Sequence, residues 1–194
     1  MKSIKNKLNF SNNRKNKTQK KRIYSEKDYK SNDGMLTSVW GPSMWHTLHT
    51  ISFNYPVKPS LKEKRNYRQF ILNLKHILPC GKCRQNFEKN MKDLPILMKH
   101  MQSRSTFSRY VYDLHELINK MLNKESNLTY SDVRERYEHF RARCKSQKEI
   151  SENAKVFKEN GCIEPLKGKK SKCVLKIVPE DEKCDTFQVN ITKM

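Results

Sequence analysis

The sequence predicts an all-α protein: a helical bundle, preceded by a disordered basic arm and followed by a small irregular or β-hairpin extension. Three observations carry that prediction. Apolar residues recur at three- and four-residue spacing through successive stretches between residues 38 and 147. Prolines and capping residues punctuate those stretches at helix-length intervals. The apolar rhythm is missing before residue 34 and decays after about residue 147. The chain therefore divides into an arm (1–33), a helical domain (34–147) and a cysteine-bearing extension (148–194).

The arm holds much of the charge. Residues 1–30 contain eleven Lys and Arg against Glu26 and Asp28, a balance of +9 within a whole-chain charge of +21. Rich in Asn and Ser, it cannot bury enough apolar surface to offset the entropy of ordering itself. It reads either as a solubilising tail or as a contact for nucleic acid or an anionic surface. No apolar run approaches 18 residues, so no membrane span is expected. The basic N-terminus is not followed by an apolar stretch of signal-peptide length, so secretion by that route is not expected.

The helices follow in order. In "SVWGPSMWHTLHTISFNYP", Trp45, Leu48, His49, Ser52 and Phe53 share one face, with Pro42 expected in the first turn. Tyr55-Pro56 ends the run, because a residue before proline avoids the helical region. In "SLKEKRNYRQFILNLKHIL", Ser60 and Glu63 form a capping box. Tyr67, Phe70, Ile71, Leu74 and Ile77 give that helix its apolar face. Pro79 stops it and opens the next helix at Cys80 and Cys83. "FSRYVYDLHELINKMLNK" is amphipathic through Phe107, Tyr110, Val111, Leu114, Ile118 and Met121. "SNLTYSDVRERYEHFRARC" is capped by Thr129 or Ser131 and turns Val133, Tyr137 and Phe140 inward. Beyond it, "CVLKIVP" and "TFQVNI" alternate like two short strands of a hairpin.

The Cys80–Cys83 pair admits three readings. Zinc needs four ligands, commonly two close pairs, and only one C-x-x-C exists, although His76 can add a ligand. A purely structural crosslink across so short a loop removes little entropy from the unfolded chain. A redox dithiol fits the local physics. The first cysteine of a helix meets unsatisfied N–H groups and the positive dipole end, and Lys75, Lys82 and Arg84 add charge nearby in sequence. A dithiol alone has no sink for its electrons. The rival reading is a zinc-binding basic helical module contacting nucleic acid.

Two further motifs supply a sink. "WGPSMWHTLH" spaces Gly41, Trp45 and His49 by four, and "FSRYVYDLHELIN" sets His115 and Asn119 one turn apart, with "CGKC" between. This order resembles the Erv/ALR family of FAD-linked sulfhydryl oxidases, whose motifs are G-x-x-x-W-x-x-x-H, C-x-x-C and H-N-x-V-N. The resemblance covers roughly residues 38–147, and "SDVRERYEHFRARC" with the cysteine-bearing extension looks closest to members encoded by large DNA viruses. It implies a four-helix bundle with an extra short helix, usually a homodimer, holding FAD.

By that resemblance Gly41, Trp45 and His49 line the flavin with Tyr55 nearby, and Tyr110, His115 and Asn119 hold the adenosine end. Lys124 matches a lysine near the phosphates, and Tyr137 a cofactor-side aromatic. Cys80 is the outer cysteine that meets thiol-containing protein substrates, and Cys83 lies against the flavin. Electrons pass to oxygen, with release of hydrogen peroxide. Cys144 and Cys162, with seventeen residues between them, resemble the family's structural disulfide, while Cys173 and Cys184 either relay electrons or staple the extension. Viral relatives imply the virus particle and the host cytoplasm. The chain departs from the pattern at Glu116 and Ile118, where the family motif has Asn and Val, and at Asn86, where relatives often carry His.

Overall fold

The computed structural model describes residues 25–143, 162 and 164–166. The chain falls into two units, 1–32 and 33–194. In the first, a single helical turn, α1 (Glu26–Tyr29), is closed by a reciprocal Ser25–Asp28 capping box. Composition predicts no order there; four residues with that cap are enough for one exposed turn. The expectation of disorder for residues 1–24 lies outside the described residues.

The second unit is the predicted bundle. Its long helices are α2 (Thr37–Phe53), α3 (Leu61–Ile77), α4 (Gly81–Asp93) and α5 (Arg104–Met121), and the short one is α6 (Tyr130–Glu138). A 3-10 turn (Met98–Met101) leads into α5. Strand β1 (Ala142–Arg143) pairs antiparallel with β2 (Glu164–Pro165), Ala142 opposite Pro165 and Arg143 opposite Glu164.

Capping residues set the starts. Ser60 and Glu63 bond reciprocally at the head of α3, as the sequence predicts, and Thr129 does the same with Asp132 at α6. Helix α5 forms the spine of the core, with Phe107, Tyr110, Val111 and Leu114 all buried. It packs on α2, α4 and α6, while α3 packs on α4. Leu48, Ile71, Leu74 and Phe87 close the core from the other helices. Two arginines fasten the end of α2. The Arg104 Nε–H donates to the Tyr55 carbonyl at 2.6 Å, and Arg141 donates to the Phe53 carbonyl at 2.9 Å.

Three local expectations change. Helix α2 begins at Thr37, so Pro42 lies inside it rather than in its first turn, and the carbonyl one turn earlier loses its helical donor. Ile77 is 64% exposed, because it ends α3 just as the chain turns extended at Leu78, and Leu78 takes the core position instead. Phe140 lies beyond the end of α6 and is half-exposed, with its ring edge-on to His46 and Tyr137. The hairpin expected from "CVLKIVP" and "TFQVNI" lies outside the described residues. The short β1–β2 ladder has no counterpart in the sequence reading.

Candidate active site

Pro79 separates α3 from α4 and sets Cys80 as the N-cap of α4, with extended backbone. The Cys80 sulfur accepts the Cys83 N–H at 3.2 Å, where α1, α3, α5 and α6 use a serine or threonine hydroxyl. Cys80 and Cys83 form a disulfide, their Cα atoms 5.1 Å apart. Cys83 packs against the core, whereas Gly81 and Lys82 face solvent. Among the described residues, no three His, Cys, Asp or Glu side chains are grouped to hold a metal.

The segment leading into α2 crosses this disulfide. The Met35 N–H donates to the Pro79 carbonyl at 2.8 Å, and the Trp40 indole N–H donates to the Met35 carbonyl at 3.1 Å. Gly34 fits because it has no side chain: a Cβ there would lie 2.9 Å from both the Cys80 Cα and the Pro79 oxygen. Thr37 follows, its Oγ1 3.7 Å from the Cys83 sulfur.

From Thr37 a single face of α2 leads inward through Gly41 and Trp45 to His49, four residues at a time. A Cβ on Gly41 would meet nothing closer than the Thr37 methyl at 3.6 Å, so the surface over this glycine is flat and open. Beyond it, Trp45 stacks on His115 of α5, with centroids 3.9 Å apart and planes 8° from parallel. His115 Nδ1 lies 3.0 Å from His49 Nε2. Tyr137 of α6 completes the nest: its ring lies 5.3 Å from His49 and stacks on Phe53, and its hydroxyl is 3.2 Å from His46 Nδ1.

Burial sets the protonation of this nest. It pushes His49 down to about 3, helped by the neighbouring His115 and His46. It pushes His115 down to about 4. Both imidazoles are therefore neutral near pH 7, so one ring donates and the other accepts across the 3.0 Å bond. Burial pushes Tyr137 up to about 12, which keeps its hydroxyl protonated, and the tautomer of His46 sets which group donates across their 3.2 Å contact. His49 is only 4% exposed, yet its Nδ1 has no hydrogen-bond partner among the described residues. A buried polar atom left so costs about 1–3 kcal/mol. An open glycine surface, stacked aromatic rings and an unsatisfied buried nitrogen suit a flat, hydrogen-bonding heterocycle such as a flavin.

Other residues named from the sequence stand apart from this nest. Tyr55 is fully buried, donates its hydroxyl to the Met101 carbonyl at 2.9 Å and packs edge-on to Tyr67. Tyr110 donates to the Leu94 carbonyl at 3.0 Å and stacks on His100. Asn119 lies one turn beyond His115, and its amide donates to the Glu116 carboxylate at 3.1 Å. The departure at position 116 thus occupies the very amide the motif supplies. Glu116 also lines an open groove of about 400 Å³ with Asp93, Asp113 and Lys120, an acidic lining that disfavours phosphates. Lys124 is exposed in the turn after α5. Asn86 is half-buried on α4. Cys162 is disulfide-bonded; Cys144, Cys173 and Cys184 lie outside the described residues.

Sequence reading missed Thr37, His46 and Gly34. Thr37 was accessible by extending the four-residue interval one turn back from Gly41. His46 stands beside Trp45, but nothing in sequence ties it to Tyr137, ninety-one positions on. Gly34 contacts a cysteine forty-six positions away, which no local pattern reveals.

Comparison with known proteins identifies the family to which these helices belong. The Erv1/Alr family profile matches residues 42–138. A probable FAD-linked sulfhydryl oxidase of Acanthamoeba polyphaga mimivirus is 30% identical over 104 residues, covering 54% of this chain and 72% of the relative. The FAD-linked sulfhydryl oxidase of an African swine fever virus isolate is 31% identical, covering 51% of this chain and 80% of the relative. The mitochondrial enzyme of Saccharomyces cerevisiae is 32% identical over 84 residues, 43% of either chain. Among solved structures, the yeast Erv1 core aligns with a TM-score of 0.48 and 26% identity over 62% of this chain and 95% of that one. With half its length matched by the family profile and a viral relative matched over most of its own, the chain belongs to the Erv1/Alr family.

Proposed function

We propose that the chain is an FAD-dependent thiol oxidase that makes disulfide bonds in protein substrates. One observation carries this reading: a single helix face runs from the Cys80–Cys83 disulfide to a buried aromatic and imidazole nest with an unsatisfied nitrogen. Gly41, Trp45, His49, His115 and Tyr137 would hold the cofactor, with Asn119 and Lys124 towards its adenosine and phosphate end. When bound, FAD accepts the electron pair of the Cys80–Cys83 dithiol and hands it to oxygen, giving hydrogen peroxide.

The protein's own part is thiol exchange and positioning. A substrate thiolate attacks the Cys80 sulfur, and the Cys80–Cys83 bond breaks with its electron pair left on Cys83. A second substrate thiolate then attacks the mixed disulfide, releasing oxidised substrate and leaving Cys80 and Cys83 reduced. Cys80 would be the outer partner: both cysteines are half-buried, but Cys80 caps α4 beside exposed Gly81 and Lys82 while Cys83 also packs against the core. The neutral imidazoles orient without adding charge, and the rings around them exclude water.

The viral relatives support a viral origin. We place the enzyme in the particle and the host cytoplasm, where a reducing environment makes a dedicated oxidase useful. We also propose a homodimer, and a polyanion contact for the basic arm. The test is an absorbance spectrum. The expected protein is yellow, bleaches with dithiothreitol under nitrogen and recovers colour in air. A colourless preparation that cannot be reconstituted with FAD refutes the reading.

A further inference from the structure

The segment across the disulfide does more than cover it. Thr37 is the first residue of α2, yet its hydroxyl caps no helix; it reaches 3.7 Å to the Cys83 sulfur. In a disulfide neither sulfur carries a proton, so the hydroxyl is the donor in that contact. The two sulfurs are otherwise unequal: Cys80 already accepts the Cys83 N–H at the start of α4, a setting that stabilises negative charge on it. Left to that bias, the pair would open with its electrons on Cys80, the sulfur that substrates reach. A donor aimed at Cys83 offsets the bias.

We propose that Thr37 is a further catalytic residue, donating a hydrogen bond to Cys83 as the leaving sulfur, and that Gly34 is the positioning residue that makes this possible. The inference rests on the oxidase reading. The step is balanced: substrate sulfur bonds to Cys80, the Cys80–Cys83 bond breaks, and its electron pair remains on Cys83, where the Thr37 proton shares it. A leaving thiolate of lower basicity departs faster. Gly34 matters because a Cβ would run into the backbone of Pro79 and of Cys80, so any side chain lifts the segment carrying Thr37.

The experiment uses the full-length flavin-loaded chain under nitrogen with glutathione as the probe thiol. Opening of the Cys80–Cys83 bond is followed by acid quench, alkylation and peptide mass spectrometry, both in time and at a fixed ratio of reduced to oxidised glutathione. T37V, which keeps shape and removes the hydroxyl, is expected to open about three- to tenfold more slowly, as expected for loss of one long charge-assisted bond. Its equilibrium is expected to shift towards the disulfide by the same factor, about 15 to 30 mV for a two-electron couple. T37S is expected to restore most of the rate. G34A is expected to slow opening as well, and T37V added to it is expected to change little more. Melting curves for each variant separate these effects from misfolding. T37V opening like wild type, or T37S as slow as T37V, overturns the hydroxyl's role. A wild-type disulfide that neither glutathione nor dithiothreitol opens overturns the oxidase reading itself.

Discussion

His49 and His115 give the molecule a measurable acid sensitivity. Unfolded, each imidazole titrates near its ordinary value of 6.5; folded, they sit at about 3 and about 4. The unfolded chain therefore takes up protons first. The stability these residues contribute is complete above pH 6.5 and is lost as pH falls through the window down to their folded values. Each histidine costs about 1.4 kcal/mol per pH unit inside that window. Glu63, Asp132 and Glu138 are held below the usual carboxylate range by hydrogen bonds to Ser60, Thr129 and Arg141, so they act only at more acid pH. Between pH 6.5 and 5 the melting temperature is thus expected to fall mainly through the histidines. His115→Phe preserves a flat ring beside Trp45 and is expected to reduce that slope; an unchanged slope contradicts the protonation account. Cys83→Ser is expected to keep the flavin and abolish thiol-dependent oxygen uptake, read with an oxygen electrode.

The elements were legible where their signals were local. The Ser60–Glu63 box, the stop at Pro79 and the stripe of α5 each depend on residues within a turn or two, and the helices formed as their patterns require. The early start of α2 was not legible, because what steadies it is remote: Met35 bonds the chain beyond α3, and Trp40 reaches back to Met35. The β1–β2 ladder is two residues long on each side, too short for an alternating pattern. Strand β1 ends one residue before position 144, and β2 begins two residues after disulfide-bonded Cys162. On that adjacency we propose the Cys144–Cys162 pairing. Cys144→Ser is expected to lower the melting temperature, with about 3 kcal/mol lost for a loop of this length, while leaving the flavin spectrum intact. A variant as stable as wild type argues against the pairing.

At the scale of the whole molecule, composition and motif order carried different information. The charge of +21 speaks of solubility and of anionic partners, and says nothing of a fold. The order of the three motifs pointed to one cofactor site, and Trp45, His49 and His115 do meet, across α2 and α5. Tyr55 and Tyr110, given cofactor roles by the same resemblance, spend their hydroxyls on backbone carbonyls of the core. A motif names residue types and spacing, but the direction of each hydroxyl depends on carbonyls supplied by segments far away in sequence.

Thr37, Gly41, Trp45 and His49 lie on one rod. Each added residue turns an α-helix by about 100° and advances it by about 1.5 Å. Inserting one alanine after Gly41 would leave every side chain present while swinging the entrance a quarter-turn away from the nest. Such a frame-shifted rod should still melt as a folded bundle yet strand the thiols from their electron acceptor, so length and phase of this helix are as constrained as its chemistry.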